Sequence, residues 1–378
     1  MKKLVMSTLS LASLATVGVA NAQSSVTLYG VIDDSVQFVH NTTAASGNAN
    51  SIGMVGGNLQ GNRWGMKGSE DLGNGIKAIF QLENGFNPNN GKLNQGNRMF
   101  GRQAYVGLTD DAYGTLTLGR QYDPVVDLVQ PLTADNYWGS TFTTPSDVDN
   151  NDNSSRTNNA AKYVSPVWAG LQFEGMYAFG GAAGSTGSGQ TWSLAATYGA
   201  GPFSIAAGYI VMDNSNTTMA RIGWNSGATS DGTFNSINLP YQSAKSINIA
   251  SIAGQYVAGP FTLGARYSNA QYKPDALSAF SATQKYDVGA GFVNYQVTPA
   301  AMIGLGYTYT HGKGNVSESY HQVSLGGDYN LSKRTDVYLV GAYQHANGAG
   351  AFASVADYDY LSTAKSQEIV SLGMRHKF

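Results

Sequence analysis

The feature that most limits how this chain can fold is a two-residue alternation of apolar and polar side chains, repeated along most of its length. The stretch PFTLGARYSNA sets Phe261, Leu263, Ala265 and Tyr267 against Thr262, Gly264, Arg266 and Ser268. MIGLGYTYTH likewise sets Ile303, Leu305, Tyr307 and Tyr309 against Gly304, Gly306, Thr308 and Thr310. Near the start, SVTLYGVIDDSVQFV places Val26, Leu28, Gly30, Ile32, Val36 and Phe38 on one face. A period of two sends successive side chains to opposite faces of an extended strand, so these segments predict strands with one greasy and one wet side. Beyond the first 22 residues no run approaches the ~18 continuous apolar residues of a membrane helix, which excludes helical spans.

Glycine (47 residues) and tyrosine (23) are abundant and only 12% of residues are charged, which suits either a soluble β-protein or a barrel that hides its apolar half by alternation. The connections decide between them. Short links such as SEDLGNG, TDDAYG, SPVWAG, VTPAAM and LSKRT alternate with long polar stretches over 40–59, 122–155, 213–244 and 346–364. Short turns at one end and long loops at the other describe a membrane barrel; a soluble sandwich needs no such asymmetry. An internal echo, YGAGPFSIAAGY (198–209) and YVAGPFTLGARY (256–267), puts Pro202 and Pro260 at strand starts, where the missing N–H costs least. Sixteen segments are predicted, from 25–39, 61–69, 75–86 and 98–109 to 335–346 and 365–378. The expected fold is all-β, a 16-stranded antiparallel transmembrane β-barrel. Closure leaves no unpaired edge in the bilayer, and sixteen strands leave an aqueous channel rather than a packed interior.

The first residues supply the compartment. Met1-Lys2-Lys3, the apolar Leu4 to Val19 and the small-x-small Ala20-Asn21-Ala22 predict a cleavable signal peptide over 1–22 and a barrel over 23–378. Without Lys2 and Lys3 the 22 basic residues fall to 20 against 24 acidic ones, a formal charge near -4 that gives no hint of a nucleic-acid partner. The absence of cysteine excludes disulfides and thiolate chemistry. His40, His311, His321, His345 and His376 show no ligand spacing and no nucleophile motif accompanies them, so no catalytic, metal or cofactor site is expected. SDVDNNDNSS, with Asp147, Asp149 and Asp152, lacks the central Gly and closing Glu of a calcium loop and is expected to be a solvated loop.

Charged residues on predicted strands mark the interior. Arg63 and Lys67 share a face opposite Trp64 and Met66. In GIKAIFQLENGF, Ile76, Ala78, Phe80 and Leu82 point outward, and Lys77, Gln81 and Glu83 inward. Arg102 shares its register with Val106 and Leu108, yet an arginine facing lipid at the midplane costs about 2–4 kcal/mol. It is therefore placed in the lumen, which turns Gln103 outward, toward another subunit. The long loop 122–155 carries Asp123, Asp127 and Asp135 among Val125, Val126, Leu128, Val129 and Leu132, apolar side chains that need something to pack on. Folded into the barrel, that acidic loop would face Arg63, Lys67, Arg102 and Arg156 and set a transverse field across a narrow gap. On pattern alone the same four cations could equally do no more than solvate a water-filled lumen.

SSVTLYGVID, NRWGMKGSEDLGNGIKAIFQLENGF, FGRQAYVGLTD, GTLTLGRQYDPV, RTNNAAKYVSPVWAGLQF and the closing LGMRHKF resemble the general diffusion porins of β-proteobacterial outer membranes, from Ser24 to Phe378. The resemblance implies a homotrimer of sixteen-stranded barrels, each with its third extracellular loop folded inward as a constriction. It places Arg63, Arg102 and Arg156 in the basic wall cluster with Lys67 nearby, Glu83 on the facing side and Asp127 in the inward loop. It also implies contact with outer-membrane lipid and lipopolysaccharide, and reading of Phe378 by the barrel-assembly machinery. The expected function is passive diffusion of small hydrophilic solutes and ions, with a mild anion preference from the basic cluster. A substrate-specific channel is the alternative, but tyrosines mostly in the outer register do not make a sugar slide. A barrel enzyme would need a histidine with a nearby serine and acid, and no such set is found.

Overall fold

The computed structural model describes residues 24–45, 47–217, 219, 221, 224, 228–232 and 234–378; the predicted signal peptide lies outside the described residues. The first strands are β1 (Ser25–Ala44), β2 (Gly47–Gly56), β3 (Arg63–Gly73), β4 (Ile76–Gly85), β5 (Gln103–Asp110), β6 (Gly114–Gln121), β7 (Thr157–Val164) and β8 (Leu171–Ala178). They continue as β9 (Thr191–Ala200), β10 (Phe203–Asp213), β11 (Ser246–Ala258), β12 (Phe261–Lys273), β13 (Gln284–Thr298), β14 (Ala301–Lys313), β15 (Glu318–Asn330), β16 (Thr335–Asn347) and β17 (Ser366–Lys377). All pair antiparallel with their neighbours, and β1 pairs with β17 from Val31 opposite Lys377 to His40 opposite Glu368. The sheet closes on itself as a barrel.

Seventeen strands make sixteen staves, because β2 and β3 are two halves of one. The other edge of β1 pairs with β2 over Asp34–Ala44 and with β3 over Ser25–Val31. Between the halves, residues 57–62 leave the sheet at Gly57, whose φ of 90° is readily reached only by glycine. The break frees backbone donors that need partners inside a wall. Asp33, fully buried, supplies them: its Oδ2 accepts from the backbone N–H of Leu59 (2.7 Å) and Gln60 (2.8 Å), while Tyr338 Oη donates to Oδ1 (2.5 Å). The stretch 40–59, expected to be a loop, carries β2, and the fourth stave, expected from 98, starts at Gln103 as β5.

Burial runs inside out. The apolar registers are the exposed ones, with Val26 at 66%, Leu28 at 62% and Leu372 at 63%, while their polar partners Ser35, Gln37 and Ser371 are buried. A soluble protein cannot leave such a belt in water, whereas lipid covers it at no cost. No described helix is long and apolar enough to cross a membrane. Short links join the staves at one end, and long loops gather at the other.

Apolar packing therefore sits where a loop meets the inner wall. The 122–156 connection carries two short helices, α1 (Pro124–Leu128) and α2 (Asp135–Trp138), and folds into the barrel. Val129 packs with Ala206 and Ala253, and Val148 joins Ile210, Ile249, Tyr272 and Tyr286. Trp138 and Phe142 cluster with Leu59, Tyr338 and Val340. Gly304, Gly306 and Gly326 receive the two rings; a methyl group at any of them would overlap Trp138 or Phe142. Trp138 Nε1 also donates to Asn294 Oδ1 (2.7 Å).

Candidate functional site

The inward loop covers the wall from β8 to β16 and leaves an open lumen of about 1200 Å³ on the other side. Tyr29, Arg63, Glu83, Arg98, Arg102, Gln103, Tyr122 and Arg156 line it on the wall side; Gln130, Asp135, Asn136 and Asp152 line it on the loop side. Arg63 reaches the lumen by the ordinary alternation of β3. Arg102 does not obey alternation. Val106 and Leu108 face outward as predicted, but β5 starts only at Gln103, so Arg102 precedes the strand and turns inward. Gln103 then follows the inward register of Tyr105 and lines the lumen, against the expectation that it would face a neighbouring subunit.

The arginines are held by few acceptors. Arg102 Nε donates to Glu83 Oε1 (2.7 Å) and Nη2 to Tyr122 Oη (2.6 Å). Arg63 Nε lies 3.7 Å from Glu83 Oε2, which also accepts from Tyr29 Oη (2.9 Å). Glu83 thus sits on the basic wall between two arginines rather than across from them, since β4 is the stave between β3 and β5. Arg156 and Arg102 both lie over the Tyr122 ring, 5.5 and 5.7 Å from its centroid. Arg156 Nη1 donates to Ser154 O (3.2 Å), and its buried Nε has no hydrogen-bond partner among the described residues. Lys67 Nζ lies 5.5 Å from the centroid of Tyr29, outside the lining of this cavity.

The loop acids divide by role. Asp123 caps α1, accepting from the backbone N–H of Val125 (2.8 Å) and Val126 (3.3 Å). Asp127 pairs with Lys162 of β7, a basic residue the sequence reading passed over. Neither faces the arginines. Asp135 does line the lumen, together with Asp152 and with Asp357 of the last long loop. Three carboxyls so close cannot all ionise easily, and burial adds to the effect. Burial pushes Asp135 up to about 6 and holds Asp152 well above the usual carboxylate range, with the Asp357 charge adding to it; Asp357 is raised too.

The run expected to be a solvated loop is instead buried. Asp149 pairs with Arg266 and accepts from Ser268 on the barrel wall, and Thr144 donates to its other oxygen at 2.7 Å. Asp147 accepts from the backbone N–H of Asp152 (2.9 Å), and burial pushes it up to about 7. The reason is that the loop packs inside the barrel, where its acids become anchors. Two further arginines escaped the sequence reading, Arg98 and Arg120. Arg120 shares its register with Leu116 and Leu118, but the register shifts between Gly119 and Gln121, and Gly119 (φ 141°) lets the side chain turn inward. The lipid-cost argument used for Arg102 was the signal that could have found it.

A closed barrel with a greasy exterior, a wet charged interior and a long loop folded into it is a channel of the outer-membrane type. The chain belongs to the Gram-negative porin family, whose model matches residues 8–349. It is 29% identical over the full length of both chains to an outer membrane porin protein of Bordetella pertussis. Among solved structures it is similar to the anion-selective porin from Comamonas acidovorans, with a TM-score of 0.74 and 24% identity, covering 94% of this chain and 100% of that one. OmpT of Vibrio cholerae in a trimer form matches at a TM-score of 0.65 and 16% identity, over 94% and 99% of the two chains. The protein is therefore an outer-membrane porin, a water-filled channel for small hydrophilic solutes and ions and not an enzyme.

Proposed function

We propose that the narrows lie between the wall of Arg63, Arg102 and Arg156, with Arg98 beside them, and the loop face of Gln130, Asp135, Asn136 and Asp152, and that this gap favours small anions. The observation that carries the reading is the mismatch of charge across one cavity. Four arginines line it. Of the five carboxyls that also line it, Asp135, Asp152 and Asp357 have raised proton affinities, so the wall charge exceeds what opposes it when they are protonated. Charged rings facing a low-dielectric wall concentrate ions of opposite sign. The name of the similar Comamonas structure, an anion-selective porin, supports the reading. Lys67, Asp123 and Asp127 lie off the narrows and act on the wall and the loop instead.

The same reading includes export by a leader over 1–22, a homotrimer seated in outer-membrane lipid and lipopolysaccharide, and recognition of Phe378 by the barrel-assembly machinery. The test is electrical. Replacing Arg63, Arg102 and Arg156 together by glutamine should lower the anion-over-cation permeability ratio about tenfold in planar bilayers, since each unit charge near the path changes local ion concentration severalfold. An unchanged reversal potential in a salt gradient would place the selectivity elsewhere.

A further inference from the structure

The long loop 213–244, which fits no pattern in the sequence, sends a second segment into the barrel. Residues 228–232 run along the mouth end of β7: Ser230 bridges Thr157, Asn158 N–H donates to Thr229 O (2.8 Å) and Asp231 N–H to Arg156 O (3.1 Å). Thr229 is further tied to Gly189 O through its own N–H (2.9 Å). These backbone bonds fix where the Asp231 side chain sits. Its carboxylate receives Arg120 Nη2 on Oδ2 (2.5 Å), and Arg120 Nη1 (3.2 Å) and Arg98 Nη1 (2.9 Å) on Oδ1. Arg120 is held from behind by Gly101 O (2.8 Å from Nε) and Asn158 Oδ1 (2.6 Å from Nη1).

The order of these groups along a line from wall to water is what matters. Arg120 is buried and does not line the lumen, whereas Asp231 and Arg98 do. The carboxylate stands between the arginine and the permeating solution. We propose that Asp231 is a selectivity-determining residue, a built-in counter-anion that masks Arg120, offsets Arg98, and holds the anion preference below what the arginines alone would give. A lone exposed ion pair would come and go with thermal motion. A forked arginine on a carboxylate clamped by its own backbone is a fixed part of the pore's charge.

The inference rests on the anion-favouring wall proposed above, and its test is separable from it. In the full-length trimer in planar bilayers, Asp231→Asn should raise the anion-over-cation permeability ratio about threefold, since one unit charge about 12 Å from the ion path in water shifts anions and cations somewhat under twofold each, in opposite directions. The chain has no cysteine, so D231C reports on that position alone. After assembly, an anionic methanethiosulfonate reagent should lower the ratio of D231C and a cationic one should raise it. If D231N fails to assemble, the double variant R120Q/D231C removes the buried cation together with its counter-charge and carries the same labelling test. A ratio indifferent to the charge placed at 231 would overturn the proposal and leave Asp231 as a loop latch. Should the triple arginine variant shift the ratio while position 231 does not, only this inference fails; if neither moves it, the wall reading fails as well.

Discussion

A buried carboxylate in a barrel wall needs a reason, and Asp33 has a geometric one. The stave formed by β2 and β3 is broken at 57–62, and Asp33 accepts the two backbone N–H groups that the break leaves without a strand partner. Asn62 completes the set, its side-chain oxygen accepting from Asp33 N–H at 2.6 Å and its amide donating to Asp33 O at 2.9 Å. Asp33→Ala should cost about 1–3 kcal/mol for each buried donor left unpaired. The check is the temperature at which the folded band disappears when samples are heated stepwise before electrophoresis; a variant that melts with the parent would refute the role. None of this was legible in SVTLYGVIDDSVQFV, where Asp33 is one more polar residue in an alternating strand. The break itself left a trace in Ile52 and Met54, both exposed and alternating with Gly53, but Asn, Ser and Gly around them read as loop. Arg102 and Arg120 teach a related lesson. Alternation holds only within a strand, and at strand ends and bulges the cost of an arginine in lipid is the better guide.

At the scale of elements, the sixteen staves were readable because the membrane enforces period two on every one of them. The inward loop was readable because five apolar side chains had no other place to go. Which of its acids would face the arginines was not, since α1 uses Asp123 as a cap and Lys162 takes Asp127. Lys162 is 35 residues away from Asp127, and the cap of a five-residue helix has no signature of its own in the sequence. The loop and the last long loop meet through Asp135, Asp152 and Asp357, and this junction makes the channel respond to pH. Burial raises the proton affinity of all three, that of Asp135 to about 6, so each takes up a proton at a higher pH than an ordinary carboxyl does. Protonated, the three add no negative charge opposite the four arginines that line the lumen; ionised, they add three. Selectivity should therefore move toward cations as pH rises from 5 to 8. Reversal potentials measured across that range check it, and a shift toward anions would contradict the assignment.

For the whole molecule, the exposed apolar belt requires a bilayer or another copy of the chain. Leu339, Val370, Leu372 and Met374 stand out from β16 and β17 beside Val36 and Phe38 of β1, so the closing seam presents an unbroken greasy face. Phe378 prolongs the seam, exchanging backbone bonds with Gly30 at 3.0 and 3.1 Å, and its ring occupies the space a side chain at Gly30 would need. A homotrimer should close in three equal conductance steps at high voltage, and deleting Phe378 should lower the amount of assembled barrel in the membrane. Single-step closure would contradict the trimer; normal assembly without Phe378 would remove its role as an address.

The glycine seats on β14 and β15 have a mechanical meaning as well. A closed sheet is a hoop, and a hoop under lateral pressure gives way by becoming oval. Here a brace lines half the hoop: the loop leaves at β6, follows the inner wall from β8 onward, touches Asn58 and Leu59 at the broken stave through Gly139 and Ser140, and is wedged by Trp138 into the glycine seats of β14 and β15 close by. Flattening the barrel would require lifting a fully buried indole from a cleft that only glycines can form. A loop seated in this way stiffens the barrel against becoming oval.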